Sequence, residues 1–177
     1  MAKILFFAGS SREQSTTKVL AKTAFQMAKS KGIDATFVDL KDYPMPLYEG
    51  DLEDKDGMPD NAKKLKKLFV EHDGFFIVSP EYNSSYPPLL KNVIDWISRP
   101  DGENLGEPYK SKTAAIAASS PGGLGGMRVL VPLRMLLGNI GVHVIPSQVS
   151  VNFVTKAFDD DGMLAVDNQH TLMDATL

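Results

Sequence analysis

The loop at residues 9–18, "GSSREQSTTK", is rich in side chains that can donate hydrogen bonds to an anion. Its donors are five hydroxyls and one guanidinium, on Ser10, Ser11, Ser15, Thr16, Thr17 and Arg12. Capping the helix that follows would need only one hydroxyl. A helix start also offers free backbone N–H groups and the positive end of the helix dipole, and a guanidinium adds charge-assisted hydrogen bonds. The loop therefore favours a phosphate site over a simple helix cap.

Two known phosphate-binding patterns are absent from this loop, and their absence restricts which phosphate-containing ligands it could bind. A P-loop has a lysine directly before a serine or threonine at the helix start, and a dinucleotide-binding loop has the spacing G-x-G-x-x-G. Neither pattern stands at residues 9–18. A single terminal phosphate group fits the loop better than a nucleoside triphosphate with magnesium.

A second group of polar side chains, "SPEYNSSYPP" at residues 79–88, follows an apolar run. Pro80, Glu81, Tyr82 and Asn83 place a rigid turn, a carboxylate, an aromatic ring and an amide at the end of a buried strand. Such a turn can form the rim of a ligand site, or it can lead into the next helix with Asn83 as the cap. The residues alone leave both interpretations open.

A third group, "SSPGGLGGMR" at residues 119–128, contains four glycines. Glycines allow a planar ligand to approach the backbone closely. The spacing does not satisfy G-x-G-x-x-G, so the loop is not a dinucleotide fingerprint. A flexible connection into a helix is the alternative interpretation.

All three loops follow short apolar runs that alternate with helical patterns. We predict strands at residues 4–8, 35–38, 74–79, 113–118 and 142–145 and helices at 15–31, 58–72, 88–97 and 124–139, with a further helical pattern from residue 168. This alternation predicts an α/β fold with a parallel sheet and helices on both faces. Five strands leave a flavodoxin-like order and a partial Rossmann arrangement open. In either, ligands bind beyond the carboxyl ends of the strands, where the three loops lie.

The predicted helix at residues 58–72 carries a run of basic side chains. Its periodicity places Ala62, Leu65, Leu68 and Phe69 on the inner face and Lys63, Lys64, Lys66 and Lys67 on the outer face. We interpret the lysines as a solvated helix face.

Length and composition exclude several classes of protein. A chain of 177 residues fits a single domain, residues 1–177, and its net charge of −3 disfavours a nucleic-acid partner. The absence of cysteine removes thiol nucleophiles, disulfides and thiolate metal sites, and the three histidines share no metal-ligand spacing. No stretch has the length of a membrane span or the pattern of a secretory signal, so we expect no membrane partner and a cytoplasmic location.

The three loops together resemble the NADPH-dependent FMN reductase family, the flavodoxin-like quinone, chromate and azo-dye reductases. The matching segments are "GSSREQST", "SPEYNSSYPPLLKNVIDWISRP" and "SSPGGLGGMR", in the order and at the spacing of the family. The similarity extends to about Val151. It implies a flavodoxin-like three-layer sandwich with a five-stranded parallel sheet in the order 2-1-3-4-5.

The resemblance also implies which residues hold the cofactor FMN. The phosphate is expected on Ser10, Arg12, Ser15, Thr16 and Thr17, although the family often has asparagine where Thr17 stands. The isoalloxazine ring is expected beside Pro80, Glu81, Tyr82, Asn83, Ser119, Pro121, Gly122 and Gly123. Backbone N–H groups of the turn at residues 80–83 would face the polar edge of the ring, and no side-chain acid or base is required.

The implied function is an FMN-dependent oxidoreductase that takes hydride from NADPH or NADH. Its acceptors would be quinones, free flavin or similar small molecules. A flavodoxin-type electron carrier that binds FMN without reacting with nicotinamide is the main alternative, but the modest charge and the glycine-rich loop favour the enzyme. A non-catalytic interaction module is disfavoured by the phosphate loop. Arg128 either attracts the phosphates of the nicotinamide cofactor or pairs at a subunit contact.

The family resemblance further implies a homodimer or homotetramer with the substrate mouth near a subunit boundary. Trp96 lies roughly opposite part of the inner face of its predicted helix, so we expect a partner to cover its ring, with packing inside its own chain as the alternative. Residues 98–100 and the proline-rich loop at 43–51 could contact the neighbour. That loop either borders the mouth or is a plain connection.

Overall fold

A computed structural model of the protein describes residues 2–103 and 105–177. Its strands are β1 (Lys3–Ala8), β2 (Asp34–Val38), β3 (Gly74–Pro80), β4 (Thr113–Ser119) and β5 (His143–Val151). Its α-helices are α1 (Thr16–Ser30), α2 (Gly50–Asp56), α3 (Asp60–Glu71), α4 (Pro88–Ser98), α5 (Met127–Asn139) and α6 (Asp167–Thr176). Two short 3₁₀ helices lie at Leu40–Asp42 and Val154–Lys156.

The strands form one parallel sheet in the order β2-β1-β3-β4-β5. The flavodoxin-like order is therefore confirmed, and the partial Rossmann arrangement is excluded. β1, β3 and β4 lie side by side, so their carboxyl ends open onto one stretch of the sheet edge. The loops that follow these three strands are the three loops that carry the predicted site.

The sheet separates two hydrophobic cores, because successive side chains of a strand point to opposite faces. Leu5 and Phe7 face the core beneath α3, α4 and α5, whereas Phe6 and Ala8 face the core beneath α1 and α6. Phe6 stacks on Phe76 of β3 with ring centroids 5.2 Å apart. Full burial of one such side chain contributes about 1.5–3 kcal/mol, which explains why the central strands are apolar throughout.

The loop at residues 43–49 folds over α4 and corrects the expectation for Trp96. The Trp96 indole is fully buried, and its Nε1 donates a hydrogen bond of 2.8 Å to the Pro46 carbonyl. Asn92 Nδ2 donates to the same carbonyl at 2.9 Å, and the Tyr48 ring packs edge-on against Trp96. The prediction of a partner-covered Trp96 is wrong, because its own chain supplies both the cover and the acceptor.

Lys66 of α3 also differs from the prediction, because it is buried rather than solvated. Its Nζ lies 2.6 Å from Asp101 Oδ2 and donates to the Arg99 carbonyl at 2.7 Å. The loop after α4 folds over α3 and provides both acceptors. Lys64 and Lys67 are exposed, as the helical pattern predicts.

Within residues 2–103 and 105–177, no helix has the length and apolar character that crossing a membrane requires.

Candidate functional site

The three loops converge on a cavity of about 240 Å³ at the carboxyl edge of the sheet. Its lining combines residues from all of them: Ser10, Arg12, Ser15, Thr16, Thr17, Pro80, Glu81, Tyr82, Ser119, Ser120 and Pro121. The sheet order brings these distant segments together. Every residue predicted in the first loop lines the cavity, whereas Asn83, Gly122 and Gly123 lie outside its lining.

A second cavity of about 260 Å³ shares Ser10, Arg12 and Tyr82 with the first. It extends the site toward the prolines Pro87 and Pro88 at the start of α4. The two cavities form one elongated cleft, which we call the three-loop cleft.

One end of the three-loop cleft is suited to an anion. Ser15 caps α1, and its Oγ accepts a hydrogen bond of 3.3 Å from the Lys18 amide. The first amides of a helix have no intrahelical acceptor, and the described residues offer none to the N–H groups of Thr16 and Thr17. These two donors and the positive end of the α1 dipole remain available to a ligand. Arg12 adds a guanidinium that is exposed and donates to the Gln14 carbonyl at 3.1 Å.

Lys18, one turn into α1, is directed away from this anion end. Its Nζ lies 2.7 Å from Asp39 Oδ2 at the end of β2. Burial alone would raise the pKa of the Asp39 carboxyl, but the hydrogen bonds from Lys18 and from the Lys41 amide lower it overall. Lys18 therefore fastens α1 to the loop after β2.

The hydroxyls of Thr17 and Ser119 join the first loop to the end of β4. They lie 3.1 Å apart, and both residues are buried. Either hydroxyl can be the donor in this bond, whereas the Thr17 backbone N–H has no acceptor among the described residues and stays available to the cleft.

Asn83 does not cap the next helix. Tyr82 N donates to Ser85 O at 2.9 Å and Ser85 N donates to Tyr82 O at 3.0 Å, which closes a two-residue hairpin turn. Asn83 and Ser84 form its tip with φ values of 51° and 66°. Positive φ at both central residues is the conformation of this turn type, which asparagine tolerates well. α4 begins instead after Pro87, without a side-chain cap.

Glu81 directs its carboxylate at the start of α5. Its Oε2 accepts hydrogen bonds from the amides of Arg128 and Val129, at 3.0 and 3.3 Å. The Arg128 guanidinium lies 3.8 Å from Oε1 and is more than half exposed. Glu81 thus borders the cleft while its charged end is held by the helix.

The four glycines of the third loop divide into two pairs. Gly125 and Gly126 have φ values of +60° and +79°, and a Cβ on Gly125 would lie 2.5 Å from Ser150 Oγ. Backbone conformation and packing require these two. Gly122 and Gly123 have no positive φ, and a Cβ there would come no closer than 3.9 Å to Ser120 Oγ and 3.5 Å to Phe153 Cζ. A Cβ at Gly122 or Gly123 would therefore make ordinary van der Waals contacts without a clash, so the protein's own packing does not require glycine at these two positions.

The end of β5 holds this glycine loop in place, which sequence reasoning missed. Ser150 Oγ donates to Leu124 O at 3.1 Å, Asn152 Nδ2 to Gly123 O at 3.4 Å, and Phe153 N to Gly122 O at 3.3 Å. Phe153 has a φ of 45° and exposes 56% of its surface. The signal was the alternation of Val149 and Val151, which continues the strand beyond Pro146.

The chain that forms this cleft is similar to a known family of proteins. The family described as NADPH-dependent FMN reductase matches residues 2–156. This chain belongs to that family. It is therefore an oxidoreductase that uses FMN and takes electrons from NAD(P)H, and the flavodoxin-type carrier is not favoured.

Individual relatives of the FMN reductase family agree with this assignment. A quinone reductase of Escherichia coli K12 is 35% identical over 136 residues, which cover 76% of this chain and 69% of that protein. An NAD(P)H-dependent FMN reductase of Pseudomonas aeruginosa is 30% identical over 176 residues, covering 99% of this chain and 91% of the relative. Among solved structures, the flavoenzyme NAD(P)H:(acceptor) oxidoreductase FerB of Paracoccus denitrificans has a TM-score of 0.82 at 27% identity, covering 99% of this chain and 92% of that one.

Proposed function

We propose that this FMN reductase is a quinone reductase that holds FMN in the three-loop cleft. NADPH or NADH would supply hydride, and quinones would be the principal acceptors, with free flavin and similar small molecules as further ones. The convergence of three distant loops on one cleft is the observation that carries the proposal. Relatives named as quinone reductases from bacteria and plants support the choice of acceptor.

The anion end of the cleft would hold the FMN phosphate. Ser10, Arg12, Ser15, Thr16 and Thr17 offer hydroxyls, one cation and the free amides of a helix start. That donor set suits a phosphate group, which accepts several hydrogen bonds and carries negative charge. Because Lys18 is paired with Asp39, Arg12 would be the main cation at this end.

The isoalloxazine ring would lie along the turn after β3 and the loop after β4. Pro80, Glu81 and Tyr82 would border one side of the ring and Ser119, Pro121, Gly122 and Gly123 the other. Gly122 and Gly123 fit a flat ligand, since the protein's own packing would admit a Cβ at either position and a close approach of the ring to the backbone would explain the glycines. Asn83, at the hairpin tip, would reach the rim of the cleft rather than its floor.

Bound FMN supplies the hydride and electron chemistry, so the protein needs no side-chain acid or base of its own. The chain contributes binding, orientation and the polarity around the ring. The lack of side chains at Gly122 and Gly123 would leave one face of the ring accessible to the nicotinamide and then to the acceptor. Arg128, whose side chain is 57% exposed, would attract the phosphates of NAD(P)H or contact a neighbouring subunit.

The enzyme would work as a homodimer or homotetramer of one domain per chain, in the cytoplasm, where NAD(P)H is available. The exposed apolar face is on α5 and not on α4. Met127, Val131 and Met135 recur every four residues there and expose 52%, 72% and 63% of their surfaces. Contiguous apolar patches of this kind often mark protein interfaces, and a symmetric pairing is the commonest solution. Because α5 begins beside the cleft, a partner on this face would border the substrate mouth.

Anaerobic absorption spectroscopy of the FMN-loaded protein tests the function. We expect NADPH to abolish the oxidised-flavin absorption and p-benzoquinone to restore it. Reduction by dithionite but not by NADPH or NADH would instead indicate the electron carrier. Reduction by NADPH without reoxidation by any quinone would contradict the proposed acceptor.

A further inference from the structure

Glu81 connects two loops that the sequence separates widely. It follows β3 by one residue, yet its Oε2 accepts hydrogen bonds from the Arg128 and Val129 amides at 3.0 and 3.3 Å. Only 13% of the Glu81 side chain is exposed. The contact is thus a largely buried carboxylate bound to the first turn of α5.

The first turn of α5 depends on this carboxylate, because its own sequence supplies no cap. The residue at the cap position is Gly126, in the left-handed region, and it makes no side-chain hydrogen bond. Uncapped helix starts leave amides without acceptors and carry the positive end of the helix dipole. Glu81 accepts from the Arg128 amide, shares the Val129 amide with the Gly126 carbonyl, which lies 3.2 Å from it, and places a negative charge against the dipole.

The contact between Glu81 and α5 also connects the two sides of the cleft. The neighbours of Glu81, Pro80 and Tyr82, line the cleft on one side, and Ser119 and Pro121 line it on the other. α5 is the continuation of that second side. The pairing of β3 with β4 already places Pro80 beside Ser119, and the bond between Glu81 and α5 holds the two walls together beyond the ends of these strands.

We propose that Glu81 is a positioning residue that holds the cleft walls together beyond the strand ends and lowers the reduction potential of the flavin, rather than a direct ligand of FMN. The potential part rests on the proposed function. A fixed negative charge near the ring opposes the gain of electrons, and the same carboxylate masks the positive start of α5. Removing the Glu81 carboxylate removes the negative charge and also unmasks the positive start of α5. Both changes make reduction of the flavin more favourable.

Two variants separate the connection of the walls from the charge. Glu81→Gln keeps the size and one acceptor oxygen but removes the charge, and Glu81→Ala removes both. Charges about 10 Å apart at an effective dielectric near 20 interact strongly enough to change an equilibrium roughly tenfold. At a fixed ambient potential, we expect both variants to raise the ratio of reduced to oxidised FMN by roughly this factor. Only Glu81→Ala should also weaken FMN binding severalfold.

Glu49 provides a matched control, because it caps α2 in the same manner. Its carboxylate accepts hydrogen bonds of 2.9 Å from the Asp51 and Leu52 amides, and it does not line the cleft. Glu49→Gln and Glu49→Ala therefore each remove a carboxylate cap from α2, a helix start that does not line the cleft. They should leave both the flavin potential and the FMN affinity unchanged.

Hydrogen exchange of the flavin-free protein tests the connection without any cofactor. In Glu81→Ala, the amides of residues 81–85 and of 127–129 should lose protection together, whereas Glu49→Ala should not affect them. Unchanged exchange in both segments would overturn the connection between the walls. An unchanged potential in Glu81→Gln would overturn the electrostatic role. A wild-type protein that binds no FMN would instead refute the proposed function, while the exchange result still decides the connection.

Discussion

The hydroxyls of Thr17 and Ser119 share a buried hydrogen bond of 3.1 Å across 102 residues of sequence. One belongs to the first turn of α1 and the other ends β4. The bond fastens the anion end of the three-loop cleft to the wall proposed to lie beside the flavin ring. Loss of this bond should therefore lower both the stability of the fold and the affinity for the ligand.

Thr17→Val keeps the shape of the side chain but leaves the Ser119 hydroxyl without its partner. We expect the free energy of unfolding to fall by about 1–2 kcal/mol and the affinity for FMN to fall about 2- to 10-fold. Thr23→Val is the control, since Thr23 is a buried threonine of α1 that donates to the Val19 and Gly162 carbonyls away from the cleft. It should lower stability without changing FMN affinity. Equal losses of affinity in both variants would show that Thr17 has no particular role.

The two pairs of glycines in the third loop should respond differently to alanine. Gly125→Ala places a Cβ 2.5 Å from Ser150 Oγ and 2.7 Å from the Asn152 amide at a φ of +60°, so we expect a loss of about 2 kcal/mol or more in unfolding free energy. Gly122→Ala meets nothing closer than 3.9 Å and should change stability by less than about 0.5 kcal/mol. If the ring lies there, Gly122→Ala should still weaken FMN binding.

Thermal unfolding and an FMN titration of the two glycine variants check this contrast. A Gly122→Ala protein with normal stability and normal FMN affinity would move the ring away from this part of the loop.

How far the sequence predicts the site depends on whether a feature is local. The apolar runs of β1, β3 and β4 and the loops behind them are local patterns, and parallel strands bring those loops to one edge of the sheet. The convergence of Ser10, Pro80 and Ser119 could therefore be predicted. The extension of β5 beyond Pro146 was missed, because the proline interrupts the apolar pattern of the strand and only the alternation of Val149 and Val151 signals that the strand continues.

Contacts between distant segments account for the remaining differences. Lys66 follows the polar spacing of an exposed helix face, but a loop far along the chain supplies Asp101 and buries the pair. Trp96 is covered by the loop that carries Pro46, which no helical periodicity reveals. Glu81 stays a predicted neighbour of the ring, and its hydrogen bond to the start of α5 joins segments that no local sequence pattern connects.

The buried pair of Lys66 and Asp101 makes stability depend on pH. The hydrogen bond from Lys66, with those from the Glu103 and Leu105 amides, lowers the Asp101 pKa to about 2 from the ordinary 3.8. A carboxyl with a lowered pKa stabilises the fold above its ordinary pKa, and that contribution is lost as the pH falls from about 4 toward 2. Asp101→Asn should therefore cost about 3 kcal/mol at neutral pH and progressively less below pH 4.

Glu103→Gln serves as the comparison for Asp101, because it breaks an exposed ion pair with Lys63 in the same loop. Its cost should stay below about 1 kcal/mol. Denaturant unfolding at several pH values measures both variants. A constant difference between Asp101→Asn and the wild type down to pH 2 would contradict the ionised pair.

The exposed face of α5 leads to a prediction about assembly. Val131→Lys places a charge at the centre of the apolar row and should convert the proposed oligomer to a monomer of 19.3 kDa. Leu47→Lys is the matched variant, since Leu47 is also exposed but lies in the loop at residues 43–49. Sedimentation velocity distinguishes the two surfaces. Dissociation by Leu47→Lys alone would place the interface at that loop, and a monomeric wild type would refute the assembly.

The most direct test of the three-loop cleft is a titration of the flavin-free protein with FMN, riboflavin and FAD. The anion end predicts that FMN binds at least about 100-fold more tightly than riboflavin, because several charge-assisted hydrogen bonds reach the phosphate. FMN should also bind more tightly than FAD, because the second phosphate and the adenosine of FAD would have to extend out of the cluster of hydroxyls at the anion end. Arg12→Ala should reduce FMN affinity about 10- to 100-fold and leave riboflavin affinity unchanged. Equal affinities for FMN and riboflavin, or tighter binding of FAD, would contradict the assignment of this cleft to FMN.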